Sequence, residues 1–132
     1  MPFPIDEKYI IESEEELGLE FPLLFKEKMI VENGGEVVTE DDNWNLYPFF
    51  DKSDQKRISR TCNHLILETK QAKEWSNFPP HAVAVAGNGC GDYLLLLAVE
   101  NTKQLGEKIY LWRHETGDFE LVAENLKELT AS

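Results

Sequence analysis

The chain has 132 residues, 42% of them apolar, with seven Phe, four Tyr and three Trp. That length supports one domain with a buried core, and the aromatic content argues against a disordered chain. Thirteen Lys and Arg stand against 25 Asp and Glu, a net charge of −12, which excludes a surface built to grip nucleic acid or anionic membrane.

The charge is uneven. Residues 1–42 hold 13 acids and three bases, residues 43–80 four acids and six bases, and residues 81–132 eight acids and four bases. Such a surface attracts basic partners, or serves solubility alone. No apolar run approaches the roughly 20 residues of a membrane-spanning helix. The opening MPFPIDEKYIIESEEELG lacks a basic region and a small-residue cleavage site, so a cytoplasmic location is expected. Cys62 and Cys90 have no CxxC or disulfide-framework spacing and are expected there as reduced thiols.

In chain order, Asp6 is suited to cap a first helix running to about Leu17, with Gly18 as its left-handed terminator. A second helix is expected from Pro22, a residue suited to a first helical position. Phe21, Leu24, Phe25 and Met29 form its stripe, and Asn33, Gly34 and Gly35 end it. Glu36–Thr39 reads as a short strand and Glu40–Asn43 as a turn. Trp44–Phe50 reads as an aromatic strand that Pro48 confines to an edge or ends early. After a polar loop from Asp51, the spacing of Ile58, Cys62, Leu65, Ile66, Thr69 and Ala72 predicts a third helix ending near Trp75. Asn77-Phe78-Pro79-Pro80 breaks it. Four strands follow, Ala82–Ala86, Tyr93–Val99, Ile109–His114 and Phe119–Ala123, and Leu126 and Leu129 suggest a last short helix. The late strands lie too close together for helical crossovers, so the expected class is α+β with a mostly antiparallel sheet and helices packed against it.

The stretch AGNGCGDYLLLL places Gly87, Gly89 and Gly91 at alternate positions before Asp92. A dinucleotide fingerprint needs G-x-G-x-x-G leading into a helix. Here the glycines lead into a strand and the Lys of a P-loop is missing. The better reading is a corner between two strands, with Asp92 holding amides of that turn. Cys90 lies inside the corner. His64, His81 and His114 exist elsewhere, but none belongs to a nucleophile signature, so Cys90 reads as a bystander and a Cys-dependent enzyme as a remote alternative. Cys62-Asn63-His64 lacks the second pair that structural zinc requires, and Asp41-Asp42-Asn43 lacks the alternation of a calcium loop. Glu14-Glu15-Glu16 reads as a solvated helix face. No catalytic, metal or cofactor site is expected.

The order of these signals resembles the SUKH superfamily, Smi/Knr-type domain. ELGLEFPLLFKEKMIVENGG is similar to its opening, with Leu17-Gly18, Pro22 and Asn33-Gly34-Gly35 in place. Trp44-Asn45-Leu46-Tyr47-Pro48 resembles its short strand after an acidic loop. FPPHAVAVAGNGCGDYLLLL resembles its central signature, with Gly91-Asp92 as the Gly-Asp pair. IYLWRHETGDFELVAENLKEL resembles its closing hairpin and helix. Two features depart from the pattern. The strand after Gly-Asp runs on through Leu96, Leu97 and Ala98 to Glu100 before its first acid, where many members carry a Leu-Asp pair, and the last helix is short.

The resemblance implies an α+β fold and binding rather than catalysis. Bacterial members made of this domain alone are read as immunity proteins that neutralise toxins, often nucleases. Fungal relatives use the domain in a cell-wall assembly regulator. The short chain favours the first kind. The expected partner is therefore a basic toxin domain met without direct nucleic-acid contact, the alternative being a regulatory or scaffold module with a cellular protein partner. Glu36, Glu40, Asp41 and Asp42 are expected to steer that partner, with Trp44 and Tyr47 either anchoring it or packing in the core.

Overall fold

The computed structural model describes residues 4–39, 43–74, 78–79, 81–89, 91–99 and 102–129. Helix α1, Glu7–Leu17, starts where the Asp6 carboxylate accepts from the Lys8 amide at 3.0 Å, and it stops at Gly18, whose φ of 72° is left-handed. Helix α2, Leu23–Val31, begins one residue after Pro22, which serves as its cap rather than its first residue. Its end differs from expectation. Glu32 is extended at φ −147°, and the Lys28 ammonium donates to the carbonyls of Glu32 and Gly34, so a side chain satisfies the helix end. Gly34 and Gly35, at φ 118° and 98°, instead turn the chain into the sheet. Buried Asn33 exchanges two 2.9 Å hydrogen bonds with the backbone of Phe49.

The predicted third helix is two helices, α3, Gln55–Arg60, and α4, Leu65–Ala72. Thr61 breaks the run. Its hydroxyl donates to the Arg57 carbonyl at 2.7 Å and accepts from the Asp51 amide at 2.9 Å. His64 then caps α4, its Nδ1 accepting from the Leu67 amide at 3.3 Å.

Among the described residues six strands follow the chain in strict spatial order: β1, Gly35–Val38; β2, Asn43–Leu46; β3, Ala82–Gly87; β4, Tyr93–Ala98; β5, Leu105–Trp112; and β6, Phe119–Ala123. Every pairing is antiparallel, so the fold is α+β as the sequence implied. β5 starts four residues earlier than its apolar run suggested, because the Leu105 amide and the Glu20 carbonyl pair at 2.8 Å and draw the segment before α2 alongside it. The last predicted helix is a single 3-10 turn, Leu126–Glu128.

The sheet separates two apolar clusters. One face carries Val37, Trp44, Val83, Val85, Leu94, Leu96 and Ile109, packed under Tyr9, Ile10, Phe21, Phe25 and Met29 of the N-terminal segment. The other face is built from Ala82, Ala84, Leu95 and Trp112 against Ala72 and Phe78. Small residues on β3 let α4 approach closely, and a bulge between Ala84 and Ala86 frees the Ala84 amide to donate to Thr69 Oγ1 at 3.0 Å.

Candidate functional site

The sheet curls until its two edge strands border one groove. The Val38 amide on β1 donates to the Leu129 carbonyl beyond β6 at 3.3 Å, which closes one end. The remaining groove holds about 530 Å³. Trp44 and Leu111 form its floor, Val38 and Thr39 one bank, and Glu120 and Leu121 the other. The Trp44 indole donates to Thr39 Oγ1 at 3.0 Å and fixes the β1 bank. Arg113 and Glu120 form an exposed ion pair at 2.8 Å within the lining. Glu128 and Asp92 add acids.

Of the residues expected at a partner contact, Glu36 lies exposed on β1. Trp44 is 1% exposed and packs in the core, the second of the two roles the sequence left open. Tyr47 is half-buried, with its hydroxyl against the space a Cβ on Gly87 would fill. Burial drives the Tyr47 phenol well above its ordinary range, with Glu68 and Tyr93 adding to the shift. Glu40, Asp41 and Asp42 lie outside the described residues, between the groove residues Thr39 and Trp44 in the chain. The bank made by Glu120 and Leu121 was not anticipated. Its signal in the sequence is the alternation Phe119-Glu120-Leu121 on a strand, which leaves Phe119 48% and Leu121 46% exposed.

The glycine corner is structural. Gly89 and Gly91 have φ of 82° and 99°, which side-chain-bearing residues rarely adopt. A Cβ on Gly91 would also meet the His114 ring at 2.9 Å. Gly87 sits in β3 with ordinary φ and is needed for the close approach of Tyr47. Asp92 reaches across to His114, just beyond β5, where Oδ1 accepts from the His114 amide at 3.1 Å and lies 2.8 Å from Nδ1 of that ring. Cys90 lies outside the described residues.

Glu14 is not part of a solvated face. Its carboxylate accepts from the Phe21 amide at 2.7 Å and lies 3.5 Å from the Lys26 ammonium, tying α1 to α2, whereas Glu15 and Glu16 are exposed. A second hollow of about 340 Å³ lies between α1 and α4, lined by Glu12, Glu16, Phe50, Lys52, His64 and Lys70 among others. Ion pairs Lys52–Glu12 at 3.1 Å and Lys70–Glu16 at 3.2 Å bridge it. His64 stacks on Phe50 with ring centroids 4.8 Å apart. Burial lowers the His64 imidazole below the usual histidine range, Lys70 and Lys52 act in the same direction, and Glu16 opposes them. That hollow therefore reads as a braced helix contact. Among the described residues no group of His, Cys, Asp and Glu is arranged to hold a metal ion, and no helix is long and apolar enough to cross a membrane.

Fold and groove together define a small α+β domain with a curled antiparallel meander and an acid-bordered edge. The chain belongs to the SMI1/KNR4 family (SUKH-1), whose model matches residues 4–132. Membership supports a non-catalytic domain of the immunity or regulatory kind that acts through contacts with other proteins. A comparison with curated proteins found no match.

Proposed function

We propose that the chain is an immunity protein that neutralises a basic toxin domain, a nuclease being the kind of toxin whose surface it fits best. The observation that carries this reading is the charge: net −12, with 13 acids against three bases in the first 42 residues. Glu7, Glu12, Glu15, Glu16 and Glu36 stand exposed in that region. A nuclease presents cations to phosphates, and an acidic surface can occupy those cations in place of substrate. Steering by complementary charge then speeds the encounter. Glu36, with Glu40, Asp41 and Asp42 close behind it in the chain, would supply part of that steering, and Tyr47 is the aromatic candidate with exposed surface.

A pull-down with the tagged full chain at low salt, from its own cells and close competitors, tests the reading. Recovery of one basic toxin domain that high salt releases is the expected result, with an association rate that falls as salt rises. A salt-independent association rate would count against steering. Recovery of wall-synthesis or signalling proteins would favour the regulatory role that family membership equally supports, and an empty pull-down would remove the partner reading.

A further inference from the structure

Edge strands in natural proteins are normally covered, charged or interrupted, because a bare edge templates pairing with another chain. β1 follows that practice: the Leu129 carbonyl takes up the Val38 amide. β6 does not. It pairs with β5 alone, and among the described residues no strand covers its far side. The Arg113 amide donates to the Asp118 carbonyl at 2.9 Å, which sets the phase of the ladder. Leu111 and Glu120 then face each other as a hydrogen-bonded pair, so the amides and carbonyls of Phe119 and Leu121 point away from β5. The side chains of Phe119 and Leu121 share one face of the sheet and are half-exposed, while Glu120 points into the groove. From Arg113 to Glu128 the chain carries five acids and two bases, and from Glu36 to Asp42 four acids and no base.

We infer that the open edge of β6 accepts an extended, lysine- or arginine-bearing segment of a protein partner as an added strand, laid along the groove between β6 and β1. The inference rests on the partner being basic, as proposed above, and names the surface and the conformation by which it is held. Backbone pairing with Phe119 and Leu121 supplies affinity. Alternate side chains of the incoming strand meet two environments, the apolar surface of Phe119 and Leu121 on one side and the acids Glu120 and Glu128 on the other. Apolar residues alternating with cations fit both. An acidic segment would meet like charge from Glu120 and Glu128, and a second copy of this chain carries the same net charge of −12.

The test uses the isotope-labelled full chain and a short acetylated peptide of alternating Lys and Val. Amide exchange at Phe119 and Leu121 should slow when the peptide is added. A version N-methylated at every backbone amide keeps the charge and loses the donors, and should bind about tenfold more weakly, the effect of one or two backbone hydrogen bonds. A Glu–Val peptide should slow neither amide. Unchanged exchange at both positions, or equal binding of the methylated peptide, overturns the inference. So does slowing that depends on protein concentration alone and accompanies dimer formation, which would assign the edge to a second copy. Leu121→Lys, at a half-exposed position, should weaken capture of the pulled-down partner about tenfold or more while leaving the circular dichroism spectrum unchanged. Undiminished capture by that variant rejects the edge and leaves the proposed function standing. An empty capture by both proteins, with the peptide still protecting Phe119 and Leu121, rejects the proposed function and keeps the edge as a strand acceptor.

Discussion

The two faces of the sheet are filled in different ways. Under α1 and α2 the side chains are large, with Phe21, Phe25 and Phe49 in mutual ring contact and Trp44 and Met29 fully enclosed. On the opposite face β3 offers only Ala82 and Ala84, and α4 comes down onto it with Ala72 and Thr69. That second cover stops short of β6, where Phe119 and Leu121 stay half-exposed. A thick face tolerates no loss of volume, and a thin face tolerates no gain. The contrast also explains why binding surface is available at β6 and not beneath the N-terminal helices.

Mutations on the two faces should therefore fail for opposite reasons. Trp44→Ala empties the thick face and should lower stability by about 3–5 kcal/mol, read from the urea midpoint. A loss under about 1 kcal/mol would mean that the indole is not enclosed in solution. Ala84→Leu overfills the thin face and should lower stability by about 1–3 kcal/mol, whereas the same change at a surface alanine would be close to neutral. If Ala84→Leu is neutral, α4 does not lie as closely on β3 as described. Gly91→Ala alters the corner between β3 and β4 and should lower stability by about 1–3 kcal/mol, through its φ of 99° and the His114 ring that the new methyl meets. An unchanged melting temperature would refute that geometry.

The smallest effect concerns the cover of the thin face and depends on pH. His64 caps α4 with an unprotonated Nδ1, and its folded pKa is lowered, chiefly by burial. The unfolded chain then binds the proton more readily than the folded one. The His64 contribution to stability is complete above the unfolded value near 6.5 and is lost as pH falls through the window below it. Glu68, raised by burial, acts in the opposite sense, favouring the fold on acidification in a window above its ordinary value of 4.5. His64→Asn keeps a capping acceptor without the titration and should flatten the loss of stability between neutral and mildly acidic pH. An identical slope in wild type and variant would exclude His64 as its source.

Much of this fold was legible because local signals and tertiary structure agree. Asp6 and Gly18 bracket α1 as capping chemistry dictates, and the late strands fall within a few residues of their apolar runs. The failures share a cause. Ile58, Cys62 and Leu65 keep helical spacing across a break made by Thr61 and Asp51, whose partnership spans ten residues and leaves no periodic trace. The contact of Asp92 with His114 joins two hairpins and leaves no mark near either residue in the sequence. The groove was invisible for the same reason: it exists only where the curl brings β1 opposite β6, at opposite ends of the strand order. Of the acidic loop on which the partner reading leaned, the structure describes only the flanks, Thr39 and Asn43.

A strand order that repeats the chain order also has a kinetic side. β3, β4, β5 and β6 meet through short connections, so each pairing confines little chain and can form from its immediate neighbour. β2 reaches β3 only after everything from Tyr47 to His81 has been brought back on itself. The β1–β2 hairpin thus joins the sheet through its most entropically demanding loop closure, and the C-terminal meander is the natural nucleus on which it docks.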